Sequence, residues 1–459
     1  MTRTLPPLRP ELDIFPSPDP DQPGFVLRDP FQYTDVIAIV PPVLATILPY
    51  FDGEHTELDI QTYLTRITGE VDLGEVVKGF VDSLGSAGFL LSEEFEAMRV
   101  AAHEEFAREP ERLPAHSGTG YPDDPDELRD RLREYMAGAR RLDGGASRLV
   151  GLSGSLADPT EPRRTAPASG LVDPFGAPLP STLPSAAPER PSDLAGLRGI
   201  AAPHVSPEGG WKSYAAAYGA LGPHLADRTF VILGTSHYGP PERFGLTRKG
   251  FRTPLGLAPC DVDLVDALVK EAPDSIEMED YCHAIEHSIE FQVVFLQHLV
   301  GPNVRVLPIL CGPFHEALLG GGRPESNSAV GAFFDALGRA AEARGRDLFW
   351  ILGVDLAHVG LRYGDSLEAQ AEQGAMKEVR ARDLARLDRI SKADDGGLLE
   401  LVLPNHDDLK WCGFSPLYTF LRVMPGLVGD VWHYEQWNID DQSVVSFAAL
   451  GFQDAGGIV

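Results

Sequence analysis

The stretch from Thr229 to Gly239, TFVILGTSHYG, constrains the fold more than any other part of the chain. Phe230-Val231-Ile232-Leu233 is an unbroken apolar run, the mark of a strand covered on both faces. Gly234-Thr235-Ser236 then turns away and presents His237. Functional groups in parallel α/β sheets gather at such carboxyl ends of strands. The pattern occurs twice more. Leu197 to Pro203 leads into His204, and Leu348 to Val354 leads into Asp355 and then His358. Three apolar runs that each deliver a candidate metal ligand or acid–base group carry more weight than one.

From Leu197 onward, strands and helices alternate. Strands are expected at 198–202, 229–233, 304–310, 348–354 and 443–450, and helices at 213–221, 261–271, 285–300, 328–343 and 366–391. This predicts an α/β fold, a central mostly parallel sheet with helices on both faces. Phe244 to Phe251 reads as a hairpin. Gly320-Gly321-Gly322-Arg323 lacks the Gly-Lys-Ser/Thr of a phosphate-binding loop and reads as a surface loop.

A chain of 459 residues is long for one domain, so two are expected. Residues 1–24 are rich in proline and acid and should be irregular. Residues 25–110 read as a small helical, winged-helix-like domain. Thr56 caps a helix through Thr65, Asp72 opens another, and Gly88-Phe89-Leu90-Leu91 closes in a short strand. Arg28-Asp29-Pro30, the Phe51-Asp52-Gly53 turn and the ending Leu84…Gly88-Phe89-Leu90-Leu91 resemble the PqqD-like domain, which implies a peptide ligand. Residues 121–142 form a charged amphipathic helix with Leu128, Leu132 and Tyr135 on one face. Residues 143–195 have linker composition, and composition alone puts the domain boundary there.

The net charge of −29 repels phosphate backbones and argues against nucleic acid as a partner. No apolar run is long enough to cross a bilayer, and the opening segment lacks the apolar core of a secretory signal. Cys260, Cys282, Cys311 and Cys412 are far apart and form no Cys-x-x-Cys. They are expected as free thiols in a cytoplasmic protein.

Two imidazoles at neighbouring strand ends suit iron, copper or zinc. Asp355 and Glu290 are carboxylate candidates for a third ligand. Cys412, between a polar loop and an apolar helix at 416–423, is the thiolate candidate. His283-Ala284-Ile285-Glu286-His287 matches His-x-x-Glu-His, with both histidines on one helix face and a glutamate to activate water. On a continuing helix, Glu286 and Glu290 stand one turn apart. These groups read as ligands, acid–base groups, or partners that orient the strand-end histidines.

At these residues the chain resembles the Memo family, also named AmmeMemoRadiSam system protein B. Tyr121 to Leu128, Ala202-Pro203-His204, Leu233-Gly234-Thr235-Ser236-His237, Thr253-Pro254-Leu255-Gly256, Glu286-His287-Ser288-Ile289-Glu290, Asp355-Leu356-Ala357-His358 and Cys412-Gly413 carry the likeness. It moves the start of the second domain to about residue 114, runs to 455, and makes 143–195 an insertion. The Memo fold is similar to class III extradiol dioxygenases. The resemblance therefore implies a redox metal site of His204, His237 and Cys412, holding iron or copper ahead of zinc. Asp355, His358, Glu286 and His287 would line the same pocket as catalytic groups, and it implies radical-SAM and AMMECR-type partners. After His204 the family's Ala-Gly-Tyr-x-Tyr-Ser-Gly is replaced by Val205-Ser206-Pro207-Glu208-Gly209-Gly210-Trp211. Trp211 and Tyr238 are expected as an aromatic pocket wall, with His283 and Glu290 beside them.

The expectation is a cytoplasmic non-haem metal protein with oxidoreductase chemistry on a small molecule or peptide. Its rivals are a binding module without turnover and a zinc hydrolase built on His283, Glu286 and His287.

Overall fold

A computed structural model describes residues 4–17, 19, 21–140, 194 and 196–455. The chain forms two compact units, Met1–Glu109 and Pro110–Val459. The division lies well before 143–195, where composition alone puts it; that stretch lies outside the described residues apart from Leu194.

In the first unit, strands Asp13–Pro16, Phe25–Arg28 and Ala38–Val40 pair as an antiparallel meander. Helices Glu57–Thr68, Gly74–Ser86 and Glu93–Arg108 follow. Thr56 and Asp59 form a reciprocal capping box, which fixes the start of the first. The segment expected to be irregular is partly built in. Leu5 and Leu12 are buried in the same core as Leu27, Ile60 and Val77. Spaced leucines anchor what its prolines suggest is loose. Arg9 donates to Asp29 at 2.9 Å, both fully buried.

The second unit is built on a nine-stranded sheet. Its strands are β1 Leu197–Ala202, β2 Thr229–Thr235, β3 Phe244–Leu246, β4 Ile276–Met278, β5 Arg305–Cys311, β6 Leu348–Gly353, β7 His358–Gly360, β8 Leu427–Asp440 and β9 Ser443–Asp454. They lie in the order β4-β3-β5-β2-β6-β1-β9-β7, with β8 paired to β9. The central four, β5-β2-β6-β1, are parallel. Phe230, Ile232, Phe349 and Ile351 pack into one apolar core, and Val231, Leu233, Trp350 and Leu352 into the other. Both faces are thus covered by helices, as the continuous apolar runs demand.

Several elements differ from the sequence reading. Phe244 to Phe251 is not a hairpin. Phe244–Leu246 joins the central sheet, while Gly250–Thr253 pairs with Gly256–Ala258 and with Glu111–Arg112. Thr247, hydrogen-bonded through its hydroxyl to Glu279 at 2.6 Å, marks where the chain leaves the sheet. The helix expected at 213–221 runs instead over Pro207–Tyr218, because Ser206 caps it and Pro207 opens it. The helix expected at 285–300 is two pieces, Cys282–Ile285 and Glu290–Leu299. Among the described residues no helix is long and apolar enough to cross a membrane.

Candidate metal centre

The register of the central strands sets the site. Gly353 on β6 lies opposite Ala202 on β1 and Gly234 on β2. His204, His237 and Asp355 each follow the last residue of their strand by two. Parallel pairing therefore delivers all three to one edge. The segment Glu286–Ile289 crosses above it, so close that a Cβ on Gly353 would stand 2.2 Å from the Ser288 carbonyl oxygen. On the other side Gly413 donates its N–H to the Asp355 carbonyl at 3.0 Å. A Cβ at Gly413 would come within 2.5 Å of that oxygen. Glycine there lets the 411–413 turn close over the strand end and bring Cys412 in.

His204 is buried. Its Nδ1 donates to the Gly353 carbonyl at 2.9 Å, so the lone pair is on Nε2. Nε2 stands 3.2 Å from Cys412 Sγ and 3.4 Å from Asp355 Oδ2. Asp355 also accepts the His204 backbone N–H at 2.9 Å. Thr235 donates its hydroxyl to the Cys412 carbonyl at 3.0 Å and holds that turn. One ring nitrogen from each of His204, His237 and His287 lies within 4.8 Å of the others.

Glu286 orients two of these rings. Its carboxylate accepts the His237 backbone N–H at 2.9 Å and lies 3.0 Å from His237 Nδ1. The same group lies 3.2 Å from His287 Nδ1 and accepts the His287 backbone N–H at 2.9 Å. Nδ1 of both rings is thereby committed to a carboxylate, the arrangement that fixes ligand histidines in metal proteins.

Burial and neighbouring charge set the protonation pattern. Desolvation, with the charges of His237 and His287, holds His204 well below the usual imidazole value. Burial takes His287 down to about 4 against the pull of Glu286. For His237 burial acts downward too, but the Glu286 charge and the hydrogen bonds of Cys412 and Glu286 hold it well above the usual value. Burial raises Glu286, and His237 with His287 overcomes this and keeps it ionised. Burial raises the Cys412 thiol, partly offset by His237, and lifts Asp355 to about 7. A positive charge is thus stabilised at the cluster, and the donors around it are uncharged nitrogens and a sulfur.

A family model described as "Memo-like protein" matches residues 181–451, which contain all of these side chains. The chain belongs to the Memo-like family. It is 25% identical over 432 residues to a MEMO1 family protein of Aquifex aeolicus, covering 93% of this chain and 96% of that one. A MEMO1 family protein of Pyrococcus furiosus is 31% identical over 264 residues, 55% of this chain and 86% of the relative. One of Desulfurococcus amylolyticus is 27% identical over 275 residues, 58% and 87%.

In this Memo-like chain the cavity over the cluster is lined by His204, His237, His287, Asp355 and His358, with Tyr363, Trp437 and Ile439 among the residues of its rim. The free space is about 20 Å3, room for about one water molecule. His358 Nδ1 donates to the carbonyls of Leu356 at 2.9 Å and Lys410 at 3.1 Å, which leaves its lone pair on Nε2. Burial, then the charge of His237, takes His358 down to about 4, so it is neutral near pH 7.

Four expected wall residues of the Memo-like pocket are elsewhere. His283 turns away and donates Nε2 to the Gly245 carbonyl at 3.0 Å. The helix ends at Ile285, and Glu286 is extended (φ −76°, ψ 138°), so His283 and His287 do not share a helix face. This removes the basis of the His-x-x-Glu-His hydrolase reading. Glu290 is buried behind the cluster, paired with Arg112 and accepting from Tyr121 and the backbone N–H of His116. Trp211 lies on the Pro207–Tyr218 helix and packs in the core with Tyr214 and Phe295. Tyr238 flanks His237, with ring centroids 6.2 Å apart, but is not part of the cavity lining.

The sequence reading missed Trp437, Tyr363 and Arg112. Arg112, fully buried, donates to the carbonyls of His283 at 2.7 Å and Glu286 at 2.9 Å, bracketing the break that carries His287. A lone arginine beside Glu111 carries no motif to find it by.

Proposed function

We propose that this Memo-like protein holds a redox-active iron or copper ion on His204, His237 and Cys412 and carries out oxidoreductase chemistry there. The single observation that supports this best is the approach of Cys412 Sγ to His204 Nε2, 3.2 Å. Nitrogen and sulfur ligands on one tetrahedral ion, at bond lengths of about 2.1 and 2.3 Å, stand about 3.5 Å apart. The donors fit such an ion: His204 offers the lone pair on Nε2, and metal binding would take the proton from the His237 imidazolium and from the Cys412 thiol. The ion would supply redox chemistry and Lewis acidity. The residues around it would do the rest. Asp355, 3.4 Å from His204 Nε2, and His358, whose lone pair is on Nε2, would exchange protons with a bound ligand. Trp437, Tyr363 and Ile439 would exclude water.

A second reading, metal binding without turnover of a large substrate, is favoured by the cavity of about 20 Å3, which does not admit an aromatic ring.

The test is elemental analysis of native protein, followed by anaerobic loading. Near-stoichiometric iron or copper, lost on replacing His237 and Cys412 together, is the expected outcome. Protein that takes up neither metal overturns the reading. Oxygen uptake with catechol-like and peptide substrates then separates the redox enzyme from the binding module.

A further inference from the structure

We propose that His287 is a third imidazole ligand of the ion at this centre, making the donor set three nitrogens and one sulfur. The inference rests on the metal-binding reading above and adds a ligand to it.

Four observations carry it. The rings of His204, His237 and His287 form a nearly equilateral triangle, with centroid separations of 5.0, 5.1 and 5.0 Å. Their nearest nitrogens fall within 4.8 Å of one another. Nitrogens on a common ion at about 2.1 Å stand about 3.4 Å apart, so ring movements of about an ångström close the set. Second, His237 and His287 are treated alike by Glu286, which meets the Nδ1 of each. A carboxylate on Nδ1 is the kind of contact that orients a ligand imidazole. Third, His287 lines the same cavity as His204 and His237, while its motif partner His283 does not. Fourth, its backbone is fixed from below. Arg112 holds the carbonyls of His283 and Glu286, and the His116 ring meets His287 edge-on at 5.6 Å. A ligand ring needs this kind of rigid support.

The consequence is a site nearly saturated by protein. Three imidazoles and a thiolate would leave the ion room for at most one small further ligand, which matches the water-sized space left over.

The test uses the full chain loaded anaerobically with Co2+, a probe whose visible bands and X-ray absorption report the ligands. Wild-type protein is expected to show three imidazole scatterers and one sulfur. His287→Ala is expected to lower Co2+ affinity by more than about 100-fold, beyond the usual loss for a residue that only orients a ligand. It should also shift the visible bands, and His287→Gly should recover the wild-type spectrum with added imidazole. Bound cobalt with two imidazoles in the wild-type protein overturns the proposal but leaves the metal-binding reading intact. Failure of the wild-type protein to bind cobalt, iron or copper overturns both. Because the imidazole count is read on the wild type, misfolding of a variant does not blunt the test.

Discussion

Glu286 and His237 meet twice. The His237 backbone N–H donates to one carboxylate oxygen at 2.9 Å, and its ring Nδ1 lies 3.0 Å from the other. This double contact fixes both the position and the tautomer of the histidine that ends β2. Glu286→Gln keeps the shape and removes the charge. Metal affinity is expected to fall about 10- to 100-fold with the fold retained. Competition titration against a chelator of known affinity, alongside circular dichroism, checks it. Unchanged affinity would show that the carboxylate does not tune the imidazoles.

Among the described residues, Cys412 is the soft donor beside His204, with Sγ 3.2 Å from its Nε2. Cys412→Ser is nearly isosteric and retains the polar contact to His204. Its expected effect is selective: copper(I) affinity falls by about 100-fold or more, while affinity for harder divalent ions falls less, because thiolate selects the softer metal. Parallel titrations with copper(I) and Co2+ measure the difference. Equal losses for both ions would remove sulfur from the ligand set.

What the sequence disclosed follows from how locally each feature is encoded. β2, β5 and β6 are continuous apolar runs, so their place in the covered centre of the sheet is written in the residues themselves. The histidines at the ends of β1 and β2 could be placed for the same reason. β8 could not. LVGDVWHYEQWNID is only partly buried, and its register shifts between Val431 and His433 break the alternation that would have marked it. The break at Glu286 was hidden as well, because apolar spacing continues through it. What ends the helix is the Glu286 carboxylate accepting the N–H groups of His287 and Ser288, while Arg112 pins the carbonyls on either side. The Arg112 bonds are tertiary interactions across 171 and 174 residues of sequence.

Arg112 and Glu290 form an ion pair with both side chains fully buried. Removing one partner strands the other charge in the interior. Arg112→Met is expected to cost about 3–5 kcal/mol, and the double change Arg112→Met with Glu290→Leu less than that single change. Urea unfolding of the three proteins measures this. A double variant less stable than Arg112→Met would mean that the bonds Glu290 accepts from Tyr121 and from the backbone N–H groups of Ala115 and His116 outweigh the cost of its stranded charge.

His433, on β8, is expected to be an acid-sensitive element away from the candidate metal centre. It is mostly buried, with Nδ1 2.6 Å from the Ser213 hydroxyl, and Lys212 is close by. Burial, then the Lys212 charge, lowers its pKa to about 4. An unfolded chain protonates this histidine near 6.5, earlier than the native state does. The stability it contributes is therefore complete above about pH 6.5 and is lost as the pH falls toward 4, by at most about 3 kcal/mol. His433→Gln has no proton to take up in that window. Its stability should decline less steeply than wild type between pH 7 and 4, so the two unfolding curves converge in acid. Parallel pH profiles of urea midpoints for the metal-free proteins decide the point. A constant offset between them across the range would show that His433 does not titrate on unfolding.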